Sequence, residues 1–477
     1  MRFPLFGKFL ALGIVLALIG AVLVRIGFLV DERAARQREA VASVEQSHAG
    51  AQTLAGPWLQ RACTEEWELT VGEGKDRKTV PEKRAFTLAV VPAKLEVQGQ
   101  ATQDVRRRGL YRVNSYGAQL SLAATFGSLA VLQPQREHAG SKLGCGPVLL
   151  TVALSDPRGV RSATVSVDGQ PQTVRPGTLD ARRPRGLHVE LPAARAADAA
   201  PLDVRLSLEL AGTGRLALVP VADATRFSLR SDWPHPSFDG RFLPATRQID
   251  DRGFSAQWAV SALASSAPTD LLRGAGLCDG QPPVSDDGSE RVAAVRAGCL
   301  DTLSVSFFDP VNPHVLSDRA IKYGLLFVVL TFIAVALVEA LSGRRVHPVQ
   351  YLFVGLALSL FFLLLLSLSE HLPFATAYAA AAAACAGLLG WYAVHMLGRW
   401  RSGAAFGAAI AGLYGLLYAL LQMEQNALVI GSLGLFGALA ALMLLTRRID
   451  WYALFDGWRR DIASGDAQPA APLPAEG

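Results

Sequence analysis

Residues 321–371 read IKYGLLFVVLTFIAVALVEALSGRRVHPVQYLFVGLALSLFFLLLLSLSEH. Two long apolar runs flank the basic break Arg344-Arg345-Val346-His347. A helix rises about 1.5 Å per residue, so roughly 20 apolar residues cross about 30 Å of hydrocarbon. Both runs meet that length. Working outward, four more segments do so, giving six expected spans: Phe9–Val30, Ile321–Leu341, Gln350–Leu368, Phe374–Leu397, Gly403–Leu421 and Ala427–Leu445.

The breaks between spans carry an orientation signal. Arg2 and Lys8 precede the first span. Arg344, Arg345 and His347 follow the second, Glu370 and His371 the third, Arg399 and Arg401 the fourth, the non-basic run Gln422–Asn426 the fifth, and Arg447 and Arg448 the sixth. Basic and non-basic breaks alternate, and basic loops stay in the cytoplasm. The expected arrangement is a multi-pass inner-membrane protein with N- and C-termini cytoplasmic and one large periplasmic domain. Its expected parts are residues 1–8 (cytoplasmic), 9–30 (first helix), 31–320 (periplasmic), 321–446 (five-helix bundle) and 447–477 (cytoplasmic tail). The first span is long for a signal-peptide core, no A-x-A site follows it, and Asp31–Gln46 reads as its helical continuation, so an uncleaved anchor is expected. Arg25 inside it reads as a side chain that snorkels to the interface. The Ala- and Pro-rich stretch Gln468–Gly477 reads as a disordered tail.

Of the 477 residues 51% are hydrophobic and only 18% charged, and the charges concentrate outside the spans. The net charge is +5, many of the basic residues sit at helix ends, and no basic stripe interleaved with aromatics suggests nucleic-acid binding. The lipid bilayer is one expected partner, and the large exported domain suggests an envelope protein or cell-wall component as another.

Residues 31–320 read as a soluble, β-rich domain, all-β or α+β, built on an antiparallel sheet or sandwich. Thr79–Val91 and Leu110–Phe126 are rich in strand formers. Leu202, Val204, Leu206, Leu208 and Leu210 alternate with mostly polar residues, which puts one face on a core. Gly212 and Gly214 suggest a turn from which Leu216–Val221 returns. Gly146–Leu154 and Val160–Val167 flank the turn-forming Ser155-Asp156-Pro157-Arg158-Gly159. Short helices are expected within Ala259–Arg273 and Glu290–Cys299, and a surface loop over Gly276–Gly288. Of five cysteines, Cys63, Cys145, Cys278 and Cys299 lie in this domain and Cys385 in a span. Four in an exported domain suggest up to two disulfides, with three pairings open; Cys63 with Cys145 and Cys278 with Cys299 is the simplest. No CxxC spacing or neighbouring His pair suggests zinc, and no other metal or cofactor is expected.

No phosphate-binding loop, G-x-S-x-G, H-E-x-x-H or EF-hand pattern is present, so no catalytic residue is assigned. Two groups remain as candidates. Glu339, Ser367, Glu370 and His371 are polar residues at span ends; they suit either interfacial capping or, as an alternative function, an enzyme or transporter acting on a lipid-linked or amphiphilic envelope substrate. Ser231–Gly240, SDWPHPSFDG, combines two prolines with Trp233, His235, Phe238 and Asp239. It reads as a rigid loop that either binds a partner or is pinned to the sheet by its aromatics. Small residues, notably Ala379–Ala384 and Gly403, Gly407, Gly412 and Gly415, suggest closely packed helices. A sensor role finds little support, because the cytoplasmic segments are short.

Several stretches taken in order resemble one family. They are Arg108-Gly109-Leu110-Tyr111 with Val113 and Tyr116, Ser155–Gly159, Ser231–Gly240 with Phe242-Leu243-Pro244, Phe254–Val260, Phe308–Val311, Arg319–Leu326, His347–Tyr351, Leu366–His371 and Arg447–Tyr452. Together they resemble the CreD family of inner-membrane proteins, also called cell envelope integrity proteins, over nearly the whole chain. The resemblance implies a role in envelope integrity under a two-component stress response, and no catalytic residue. The cysteines are not part of that pattern.

Overall fold

The structure is a computed structural model, and it describes residues 4–71, 78–192, 200–277, 299–307, 313–342, 346–398, 400–422 and 427–447. The chain forms two compact units, one of Met1–Arg36 with Val311–Gly477 and one of Gln37–Pro310. Helix α1, Pro4–Ser47, carries the first apolar run and the Asp31–Gln46 continuation as one helix of 44 residues. With no Gly or Pro after Gly27, nothing interrupts it before His48-Ala49-Gly50.

The second unit is a β-sandwich. Its strands are β1 Gln52–Val71, β2 Lys78–Val90, β3 Lys94–Arg108, β4 Tyr111–Phe126, β5 Lys142–Cys145 and β6 Val148–Leu154. Then come β7 Val160–Val167, β8 Gln170–Gln172, β9 Arg175–Pro176, β10 Gly186–Leu191, β11 Leu202–Thr213 and β12 Arg215–Leu218. Last are β13 Ala224–Ser231, β14 Pro236–Gly240, β15 Thr246–Asp250, β16 Gly253–Ser261, the short helix α2 Ala267–Arg273, and β17 Leu303–Phe307. One sheet runs β14-β17-β12-β1-β6-β10-β9, with β2 and β5 also paired to β1; the other runs β15-β16-β13-β3-β4-β11-β7-β8.

The expected β-sandwich is present and its pairings are mostly antiparallel, but both sheets are mixed: β1 pairs β12 in parallel, and β3 pairs β13 in parallel. The two expected hairpins are corrected. The Ser155–Gly159 turn carries the chain from β6 in the first sheet to β7 in the second, and Gly214, at φ 72°, carries it from β11 in the second to β12 in the first. Burial explains the first switch. All seven residues of β6 are buried, so it belongs in the interior of a sheet covered on both sides, whereas β7 has exposed positions. Helix α2 begins only at Ala267, because β16 holds the preceding residues to Ser261.

The inner faces close on one apolar core. Leu95, Val97, Leu120, Leu122, Leu206, Leu208 and Leu229 face Leu54, Trp58, Leu150, Val152 and Val305. The alternation read at Leu202–Leu210 is the buried face of β11. Gly99 lies on the same inner face, where a Cβ would stand 2.8 Å from Leu229 and 2.9 Å from Leu120.

The first unit is a helix bundle: α3 Pro313–Ser342, α4 Pro348–Ser369, α5 Phe374–Leu397, α6 Trp400–Gln422 and α7 Ala427–Thr446, with the apolar part of α1. Among the described residues five helices are long and apolar enough to cross a membrane, at Leu10–Ser47, Leu316–Ala336, Pro348–Ser369, Phe374–Met396 and Trp400–Gln422. That is one fewer than the six expected; the sixth segment is the 20-residue helix α7, several of whose side chains lie outside the described residues. Glycines set the contacts. Gly355 on α4 faces Ile19 of α1, and Gly324 on α3 lies near Leu23. Gly390 of α5 meets Gly407 of α6, and Gly403 meets Val394, so the two backbones touch. Small residues allow that approach where lipid supplies no hydrophobic drive. Gly412 and Gly415 face open space instead.

Candidate functional site

The Ser155–Gly159 turn grips the end of α1. The last turn of a helix leaves carbonyl groups unpaired and carries partial negative charge, so a cation there is favourable. Arg158 supplies it, donating from Nη1 to the Gln46 carbonyl at 2.5 Å and from Nη2 to that of Glu45 at 3.1 Å. Asp156 holds the guanidinium, accepting from Nε at 2.8 Å, and accepts from the Gly50 amide at 3.1 Å. Burial alone would raise the Asp156 carboxyl pKa; the hydrogen bonds from Arg158 and Gly50 outweigh it and hold the pKa below its ordinary value. Gln52 completes the joint, its Nε2 donating to Asp156 O at 2.9 Å and to Ala211 O at 3.1 Å.

The SDWPHPSFDG segment is less open than a free loop. Trp233 is buried; its Nε1 donates to His235 O at 2.8 Å, and its ring meets Phe307 edge-on at 6.4 Å. Pro236–Gly240 is β14, paired with β17. Phe238 packs edge-on against Phe254 and Trp258 at 5.6 and 5.7 Å. Asp239 accepts from Ser306 Oγ at 2.7 Å. Of the two readings of this segment, the Trp233 ring follows the one in which aromatics pin it to the sheet, while His235 and Asp239 are exposed.

Cys63 and Cys145 lie opposite one another on β1 and β5 and are joined by a disulfide. Cys299 is also disulfide-bonded, whereas Cys278 lies outside the described residues, as do the expected Gly276–Gly288 loop beyond Leu277 and the Glu290–Cys299 helix before Cys299. Two residues beyond Cys63, Glu65 is fully buried and fastens the same loop. Its Oε1 accepts from Ser141 Oγ at 2.6 Å and from the amides of Glu137 and His138, both at 3.0 Å. His138 stacks on Trp67, ring centroids 3.9 Å apart. The Ser141 and His138 hydrogen bonds hold the Glu65 pKa below the usual carboxylate range. A depressed folded-state pKa stabilises at pH values above the unfolded-state pKa, and that contribution is lost as pH falls through the folded-state value. Hydrogen-exchange protection of the Glu137 and His138 amides is therefore expected to be full at neutral pH and to fall on acidification. In Glu65→Gln, protection at neutral pH is expected to be lower and its acid dependence flattened.

The polar residues of the bundle do not form one cluster. Glu339 is buried, its Oε1 accepting from Val346 N at 3.1 Å and its Oε2 from Tyr351 Oη at 3.0 Å. It therefore staples the α3–α4 connection; Arg344 and Arg345 lie outside the described residues. Glu370 caps the other end of α4, a helix of 22 residues, about 33 Å away. There it pairs with Arg33 of α1 at 3.4 Å. Ser367 and His371 are exposed, so Ser367, Glu370 and His371 share a helix end but not a cavity with Glu339.

The outer face of the second sheet is a further candidate. Strand registers align side chains into rows across it. One row runs Gln248, Ser255, Arg230, Gln100, Gln119, Glu209, Ser162. The next runs Thr246, Gln257, Ser228, Gln98, Ser121, Ser207, Thr164. Their central part, from Ser255 and Gln257 to Gln119 and Ser121, floors a depression of about 500 Å³ in which Arg230 is the one charged residue. A second depression of about 180 Å³, toward Arg161 and Glu209, shares Gln100 and Gln119. Ion pairs flank the floor, Arg226 with Glu96 at 3.7 Å and Arg161 with Glu209 at 3.9 Å. Among the described residues, the side chains of Gln98, Gln100, Gln119, Gln257 and Arg230 make no hydrogen bond or ion pair. Such a surface can hydrogen-bond a polar, mostly neutral ligand.

The family model described as inner membrane protein CreD matches residues 4–452. The "Inner membrane protein CreD" of Escherichia coli (strain K12) is 34% identical over 458 residues, covering 95% of each chain. This chain belongs to the CreD family. It is accordingly a multi-pass inner-membrane protein of the cell envelope. Among solved structures, two of the M1 zinc metallopeptidase from Deinococcus radiodurans align at TM-scores of 0.21 and 0.19, with 10% and 12% identity. They cover 45% and 35% of this chain, which spans 42% and 38% of theirs. Likeness at that level carries no argument about either fold or activity.

The CreD match includes both units, and with them features that motif searching passed over. A hydrogen-bonded chain crosses the bundle: Tyr378 Oη donates to Tyr414 O at 2.6 Å, Tyr414 Oη to Cys385 Sγ at 3.1 Å, and Cys385 Sγ to Ala357 O at 3.3 Å. It ties α4, α5 and α6 together in a region that reads as apolar. The tyrosines, rare among Ala and Gly, were the available signal. Glu65 had none, because a lone carboxylate in a strand ordinarily faces water. The polar face was legible only in part, since alternation marks outward residues without saying which strands stand side by side.

Proposed function

We propose that this CreD-family protein keeps both termini in the cytoplasm and residues 37–310 in the periplasm. There the domain contributes to envelope integrity through non-enzymatic contacts with an envelope protein or cell-wall component. The observation that carries this reading is the polar face of the second sheet: broad, recessed, and lined by Gln98, Gln100, Gln119, Gln257 and Arg230, whose side chains make no hydrogen bond or ion pair among the described residues. The orientation is supported by the alternation of basic and non-basic breaks. It is also supported by the Arg33–Glu370 pair, which places the end of the α1 span beside the non-basic end of α4.

Photo-crosslinkers introduced in living cells at Gln98 and Ser228 test the contact. An envelope component is expected to be captured from both positions and not from exposed Lys142, outside that sheet. Equal capture from Lys142, or none from Gln98 and Ser228, contradicts the proposal.

A further inference from the structure

We propose that the polar face of the second sheet binds a linear, β-linked glycan strand whose rings carry hydroxyl and acetamido groups. The inference rests on the contact reading above and names the partner's chemistry.

Three observations argue for it. First, apart from Arg230, the polar side chains of the floor are amides and hydroxyls, with no aromatic ring among them. Amide side chains present donor and acceptor together, which suits neutral hydroxyl and acetamido groups. Second, the spacing fits. Neighbouring strands stand about 4.8 Å apart, close to the length of one pyranose ring in an extended chain. A glycan lying across β13, β3 and β4 thus advances about one ring per strand. An extended peptide advances only about 3.3 Å per residue and falls out of step. The two rows lie two residues apart along each strand, roughly 7 Å, so a ring between them reaches Gln98 and Ser121 on one side and Gln100 and Gln119 on the other. Third, Arg230 stands in the row beside Gln100 and has no ion-pair partner among the described residues. It suits a carboxylate carried on the strand, as on the lactyl and peptide substituents of cell-wall glycan.

The test uses the full-length protein in detergent with two probes: purified, protein-free cell-wall sacculi, and a β-linked hexamer of N-acetylglucosamine. Co-sedimentation with sacculi is expected, and is expected to drop at least tenfold in Gln98→Ala/Gln119→Ala, whose exposed positions leave thermal stability unchanged. The double variant is expected to weaken the hexamer equally. Arg230→Ala is expected to weaken sacculi severalfold and leave the hexamer unaffected; equal loss on both removes the carboxylate assignment. Sedimentation no greater than that of an unrelated multi-pass protein, or undiminished in the double variant, overturns the glycan proposal. If the in-cell crosslinks then still capture an envelope protein from this face, the broader contact reading stands and only the glycan fails. If they capture nothing, both fail.

Discussion

Gly159→Ala is expected to destabilise the second unit by about 3 kcal/mol, at the upper end of what overpacking usually costs. A Cβ at residue 159 falls onto the Ala211 carbonyl oxygen, a backbone atom of β11. It also falls 2.5 Å from Gln52 Nε2, the amide that joins Asp156 to Ala211. The carbonyl cannot turn aside, because β11 is held on both sides by β4 and β7, and moving the Gln52 amide gives up its hydrogen bonds to Asp156 and Ala211. The substitution must therefore displace the whole turn, and with it the Arg158 hydrogen bonds to the end of α1. For a domain of this size the melting temperature is expected to fall by about 6 °C or more, measured on the full-length protein. Gly127→Ala is the control: a Cβ there meets nothing within 4 Å, and its effect is expected to stay within about 0.5 kcal/mol. Equal melting temperatures for the two variants would remove the junction from the account.

Replacing both Cys63 and Cys145 by alanine is expected to cost about 2–4 kcal/mol, the usual range for a disulfide closing a long loop. The bridge spans 82 positions of sequence. It ties β5 to β1 where β1 also pairs with β2, beside the Glu65 anchor. Loss is expected to appear as proteolytic cleavage within residues 127–145 before global unfolding. The double variant isolates this bridge, since reductant also attacks the disulfide of Cys299. Unchanged protease resistance would show that the Glu65 hydrogen bonds hold the loop without it.

What was legible in the sequence follows from which forces act locally. Each apolar span declares itself because every residue in the run contributes to the same transfer free energy, and α1, α4, α5 and α6 stand where the runs predict. The Leu202–Leu210 alternation likewise marks the buried side of β11. Strand partners were not legible. A turn such as Ser155–Gly159 serves a hairpin or a change of sheet equally well, and the choice falls to residues far away in the chain, such as those pairing β1 with β12. The same distance hid β14: two prolines and two aspartates read as a loop, and only β17 turns Pro236–Gly240 into a strand. Glu339 and Glu370 looked alike at span ends, but the length of α4 separates them. The polar face escaped motif reading because it is assembled from seven strands in register, with only Gln98 and Gln100 of its Gln residues on the same strand.

Cysteine labelling in cells with a permeabilised outer membrane tests the central claim, that the sheet face lies on the periplasmic side of a bundle with its C-terminus inside. With a membrane-impermeant maleimide, Ser121→Cys is expected to be labelled in intact cells above the wild-type background, and Ser464→Cys only after lysis. Labelling of Ser464→Cys in intact cells, or protection of Ser121→Cys until lysis, would contradict it.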